Sequence, residues 1–213
     1  MKSMIKDTLI LLLITVISGG ILGAVYEITK EPIRAAEEKK EQEAYEKAFS
    51  GAVYFEEDGD FSAAEAEKVI KENYPNTVIE TSMYALDAER NVLGYVIQVL
   101  STEGYNGEIR FLVGLKLDGT ISAVSLLEIN ESAGLGMDAE PVLIPQYKDK
   151  PIATFEVTKA GATKENQVDA ISGATITTDA INNGVNAAVS YFNVMYSSQI
   201  VVTEGGEENE AGQ

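Results

Sequence analysis

The chain has 213 residues, of which 45% are hydrophobic, enough for one domain of ordinary size with an appended segment. It contains neither cysteine nor histidine, which excludes disulfides, zinc–thiolate sites, iron–sulfur clusters, histidine-ligated haem and a Ser-His-Asp triad. A net charge of −18 argues against nucleic acid as a partner, and any redox carrier must be organic or belong to another subunit.

Residues 1–7 carry Lys2 and Lys6, which favour a cytoplasmic N-terminus, but Lys30, Arg34, Lys39 and Lys40 follow the next, apolar run on its other side, so charge leaves the orientation open. From Thr8 to Tyr26 no residue is charged, and at about 1.5 Å per residue the run nearly crosses a hydrocarbon core of about 30 Å. Residues 8–27 are therefore expected to form a transmembrane helix, with Gly19, Gly20 and Gly23 small enough for another membrane helix to approach. A cleaved signal peptide is the alternative, but the apolar run is long for one. Residues 28–50, dense in Glu, Lys and Ala, read as a charged helical stalk, with Pro32 at an early helical turn or a break.

Glu56 to Asp60 lacks the ligand order of a calcium loop and reads as an acidic turn before a helix over Phe61–Asn73. The middle of the chain is β-rich. Gly94–Leu100 is one strand, and Phe111, Val113, Leu115 and Leu117 alternate along a second. Asp118-Gly119 signals a hairpin, and Ile121–Leu127 returns as a third strand, so the pieces form an antiparallel meander with one buried face. The loop Glu131-Ser132-Ala133-Gly134-Leu135-Gly136 follows. Its glycines let backbone approach a flat ligand, though taken alone the stretch reads better as a plain glycine loop.

Asp169-Ala170-Ile171-Ser172-Gly173-Ala174-Thr175 precedes a helix whose stripe is Ile181, Val185, Ala188, Val189 and Phe192. A small-residue turn at a helix start suits an anion, because free N–H groups and the helix dipole converge there. The bland reading is a capping turn, with Thr177 or Thr178 as the cap and Asp179 favourable to the dipole. Residues 201–213 are Gly- and Glu-rich and are expected to be a disordered acidic tail. The fold class is α+β, a mostly antiparallel sheet with helices on one side, preceded by one transmembrane helix.

The Asp169–Thr175 stretch is similar to the acceptor motif D-x-x-S/T-G-A-T, on whose final threonine flavin transferases place FMN as a phosphodiester. Together with Gly104-Tyr105-Asn106-Gly107, the glycine loop and the apolar segment, its order along the chain resembles one family. This is the FMN-binding G subunit of Rnf electron-transport complexes, related to the C subunit of sodium-translocating NADH:quinone oxidoreductase. The family's loop usually reads E-T-P-G-L-G, and here Ser132 keeps the hydroxyl while Ala133 replaces proline.

The resemblance implies an FMN-binding domain over residues 51–200 with Thr175 as the covalent acceptor. Ser172, Gly173 and Ala174 would serve as phosphate cradle and transferase recognition, and Asp169 as the aspartate read during transfer by an FAD-dependent FMN transferase. Glu131, Ser132, Gly134, Leu135 and Gly136 would wall the isoalloxazine. It further implies a single-pass subunit in the cell membrane, with residues 1–7 in the cytoplasm and the flavin domain outside it. There it would relay electrons among other subunits of a ferredoxin:NAD oxidoreductase that translocates Na⁺ or H⁺. No catalytic side chain and no metal are expected, so the chain would be a component of an enzyme complex. A stand-alone flavin electron-transfer domain and a non-redox binding or assembly module are the rival readings.

Overall fold

The computed structural model describes residues 2–199, so the tail expected over 201–213 lies outside the described residues. Contacts divide the chain into two units at Gln42. In the first runs helix α1 (Lys2–Ala48), continuous through Pro32. No break occurs there: the fixed φ of proline is compatible with a helix, which runs on despite one lost bond and the ring's crowding of the carbonyl four residues back. An 18-residue stretch of this helix reaches a mean hydropathy of 2.4 with none of it buried, long and apolar enough to cross a membrane. Beyond that stretch Arg34 pairs with Glu31 at 2.8 Å and Glu38 at 3.6 Å, ordinary contacts of a solvated helix.

The second unit, from residue 43 onward, is built on five strands in sequential antiparallel order: β1 (Tyr54–Glu57), β2 (Thr77–Leu86), β3 (Val92–Gly104), β4 (Gly107–Lys116) and β5 (Ile121–Ile129). Alternation along β3 and β4 sends Tyr95, Ile97, Val99, Ile109, Phe111, Val113 and Leu115 to one face, all fully buried. Helix α3 (Thr175–Tyr196) lies on that face with its expected stripe inward. Gly184, in mid-helix, is where it comes closest: a Cβ there would stand 2.5 Å from Phe111 Cζ. Helix α2 (Ala63–Ile70) adds Ala66 and Ile70 to the same core. It is shorter than the expected Phe61–Asn73, because the N–H groups of both Asn73 and Tyr74 turn back to the Ile70 carbonyl and close the helix.

The opposite face of the sheet is also covered, which corrects the expectation of helices on one side only. Ala44, Tyr45, Ala48 and Phe49 pack on Ala85, Val96 and Leu112. Gly114 makes room for them, since a Cβ there would stand 2.1 Å from the Ala48 carbonyl oxygen. Farther along that face Arg110 grips Glu80 through Nε at 2.7 Å and Nη2 at 3.1 Å, and Gln98 donates to the same carboxylate at 2.7 Å. Burial raises the Glu80 pKa, but the Arg110 and Gln98 hydrogen bonds outweigh it and hold the carboxyl below its ordinary value.

After β5, short 3₁₀ and π turns over 136–147 lead to a second, two-stranded sheet. In it β6 (Glu156–Thr158) pairs in parallel with β7 (Gln167–Asp169). Neither strand is visible as a pattern in the sequence, since three residues are too few to show alternation.

Candidate functional site

The glycine loop and the Ser172–Thr175 turn, far apart in sequence, form the two sides of one cleft of about 440 Å³. Its lining is Glu131, Ser132, Leu135 and Gly136 on one side, Gly173 to Thr177 on the other, and Tyr105 at the end. Two glycines set this closeness. Gly173 has φ +76°, and a Cβ there would stand 3.0 Å from Leu135 Cδ2. At Gly136 a Cβ would stand 2.7 Å from both Glu131 Cβ and Thr177 Oγ1, so the loop rests directly on the first turn of α3.

Helix α3 begins at Thr175, earlier than a cap at Thr177 or Thr178 allows, with Ala174 at the N-cap and no side-chain cap. The bland reading is corrected accordingly. Thr178 Oγ1 accepts the Ile171 N–H at 3.1 Å and donates to the Ala174 carbonyl at 2.8 Å, so it fastens the turn from below. The first intrahelical bond is Thr178 N–H to Ala174 O, which leaves the N–H groups of Thr175, Ile176 and Thr177 unspent by the helix. Those donors and the dipole point to where an anion attached at Thr175 would sit.

The rim of the cleft is apolar and open to solvent. Tyr105 is 69% exposed, Ile176 52% and Leu135 43%, a cluster of large side chains with the chemistry to cover a flat ring. Glu131 is buried, and its Oε1 accepts the Asn106 N–H at 3.3 Å, tying the Tyr105 turn between β3 and β4 to the loop. Sequence reasoning missed Ile176. Its signal is an apolar residue in the first turn that lies off the buried stripe of α3. Tyr105 stands out in the sequence only as part of a connection.

Asp169 ends β7 and lines no part of this cleft. Its backbone is clamped by one side chain: Gln146 Oε1 accepts the Asp169 N–H at 2.7 Å, and Gln146 Nε2 donates to its carbonyl at 3.1 Å. Ser172 and Gly134 are likewise outside the lining of the larger cleft. Ser172 lies on a second, smaller one of about 270 Å³ that shares Gly173 and Thr175.

Residues 104–190 match the FMN-binding domain, and residues 1–47 match the RnfG N-terminal region. The chain is 30% identical over 196 residues to the G subunit of the Na⁺-translocating ferredoxin:NAD⁺ oxidoreductase complex of Acetobacterium woodii, covering 90% of this chain and 92% of that one. The chain belongs to the RnfG family. A second relative, the G subunit of the proton-translocating ferredoxin:NAD⁺ oxidoreductase complex of Clostridium ljungdahlii, is 31% identical over 174 residues, with 81% of this chain and 83% of the relative covered. The crystal structure of Shewanella oneidensis NqrC superposes with a TM-score of 0.50 at 19% identity, over 68% of this chain and 82% of that one, and shows a shared fold. The cleft lies wholly within the matched FMN-binding domain, and its apolar rim has the chemistry to take that cofactor's ring system, while Thr175, with its hydroxyl at the helix start, borders both clefts.

Proposed function

We propose that this RnfG-family chain is a membrane-anchored flavoprotein subunit, carrying FMN as a phosphodiester on Thr175, that relays electrons within an ion-translocating ferredoxin:NAD oxidoreductase complex. The observation that carries this reading is the convergence of two sequence-distant segments on one cleft at an uncapped helix start, with a hydroxyl at the first helical position. The names of the relatives support the complex, and the length and hydropathy of α1 support the anchor. On this reading the domain faces outward, where covalent attachment prevents loss of a scarce cofactor.

Bound FMN supplies one-electron transfer at a potential that its surroundings tune. The chain's own residues place the group. Leu135, Ile176 and Tyr105 would shield the ring from water, and Glu131 holds the Tyr105 turn in position. Ser172, Gly173 and Ala174 are small, which leaves Thr175 open to a transferase. On this reading the Thr175 hydroxyl oxygen would form the new O–P bond as the pyrophosphate bond of FAD breaks, with AMP as leaving group and the hydroxyl proton taken by the transferase.

The test is flavin fluorescence in a denaturing gel of protein produced with an active FMN transferase, beside Thr175→Val. A fluorescent wild-type band that is absent from the variant is the expected result. A dark wild-type band, with the transferase active on a known acceptor, would overturn the covalent assignment.

A further inference from the structure

The smaller cleft holds a group that the reading above leaves unused. Its lining is Lys159, Ala170, Ile171, Ser172, Gly173 and Thr175, so the two clefts meet at Gly173 and Thr175. Across both linings there is one carboxylate, Glu131, and one cation, Lys159, and they stand in different clefts. We infer that Lys159 is the counter-ion of the phosphodiester, seating the phosphate in the smaller cleft while the flavin ring occupies the larger. The inference rests on the assignment of FMN to Thr175.

Position supports it first. Lys159 follows β6, whose last residue Thr158 is opposite Asp169 and accepts the Ala170 N–H at 2.8 Å. Thr158 Oγ1 also accepts the Ala160 N–H at 3.2 Å, turning the chain just past Lys159. The strand is anchored to α3 itself. Asn186 Oδ1 accepts the Phe155 N–H at 2.7 Å, and the Phe155 carbonyl accepts from Asn182 at 3.1 Å and Asn186 at 2.9 Å. The helix that carries Thr175 thus also fixes the strand that delivers Lys159.

Charge supports it second. In a chain of net charge −18, Lys159 makes no ion pair among the described residues, whereas Lys164, five residues on, faces Glu156 at 3.9 Å. A phosphodiester bears one negative charge next to the Thr175 oxygen. The Glu131 side repels it and the Lys159 side attracts it, so the sign of the lining selects which cleft takes the phosphate.

Two phosphates have this chemistry, the attached diester and the pyrophosphate of the incoming FAD, and the test separates them. Full-length protein is produced with the transferase as wild type, Lys159→Gln, Lys159→Arg and the control Lys164→Gln. Flavin loading and the ³¹P resonance of the attached diester are measured for each. The expected result is a displaced resonance in Lys159→Gln, a restored one in Lys159→Arg and no change in Lys164→Gln. In wild type the resonance should also move toward the Lys159→Gln position as salt screens the exposed pair.

Slower loading of Lys159→Gln with an unchanged resonance would assign Lys159 to the donor's pyrophosphate and overturn the inference. A variant that loads no flavin gives no signal, so the wild-type salt series stands by itself: a resonance indifferent to salt also overturns it. Wild type that takes no flavin would instead overturn the covalent assignment, and this inference with it.

Discussion

The two ends of α3 use the same kinds of group to opposite effect. At about 1.5 Å per residue the ends of this 22-residue helix lie roughly 30 Å apart. At the N-terminal end a hydroxyl, a carboxylate and an aromatic ring (Thr175, Glu131 and Tyr105) border an open cleft with unspent N–H groups. At the C-terminal end the hydroxyl of Tyr196 donates to the buried Asp58 carboxylate, lies 3.3 Å from Ser82 Oγ, and its ring stacks on Tyr95 at 3.9 Å. That end is closed. Each carboxylate has a protein donor, Asn106 N–H for Glu131 and Tyr196 for Asp58, so what separates the ends is the backbone donors left over at the open one.

This contrast is sharpest at Gly136. Alanine there drives a methyl group into Glu131 and Thr177, an overpacking that costs about 1–3 kcal/mol. Gly136→Ala should lower the melting temperature and flavin occupancy together, because the displaced loop is a wall of the cleft. Retained occupancy in this variant would show that the loop does not shape the flavin site.

At the closed end Tyr196→Phe removes the donor to Asp58 and should cost about 2 kcal/mol, the scale of a hydrogen bond to a charged group. Urea denaturation measures that loss, while flavin occupancy should equal that of wild type. A fall in occupancy would mean that the two ends are coupled through the helix.

A smaller effect is expected with pH. Burial, and then the Asp58 carboxylate, push the Tyr196 phenol far above its ordinary value of 10.0. The neutral phenol is favoured in the folded state, so its contribution is fully present below the unfolded pKa. It is lost as pH rises from about 10 toward the folded value. Thermal melts from about pH 8 to about pH 11 should show this decline. Tyr84 and Tyr147, also raised chiefly by burial, add losses of the same sign, so Tyr196→Phe should show a smaller alkaline decline than wild type.

How much of each end can be read in the sequence follows from how local its contacts are. The acceptor turn is legible because its small residues, hydroxyl and following helix are contiguous. The meander is legible because alternation along β3 and β4 is long and clean. β2 (TVIETSMYAL) is not, because polar residues interrupt its apolar positions on both faces. Asp58 reads as one acid among several in an acidic turn, and its partner Tyr196 is 138 positions away. Lys159 is equally silent, an ordinary lysine until the short parallel pair β6–β7 brings it to the cleft it shares with Ser172, Gly173 and Thr175.

By itself the sequence determined what short-range periodicity and contiguous motifs encode. These are an uncharged run long enough to span a membrane, an antiparallel meander, an amphipathic last helix and a hydroxyl at its start. Tertiary structure alone decided which faces are covered and which donor meets each buried carboxylate. It also decided that the glycine loop closes on the Ser172–Thr175 turn and that Glu131 and Lys159 line different clefts, which meet at Gly173 and Thr175. Those outcomes depend on contacts between residues far apart in the chain, where burial, the room left by a missing Cβ and the pairing of charge are properties of the packed molecule and of no single segment.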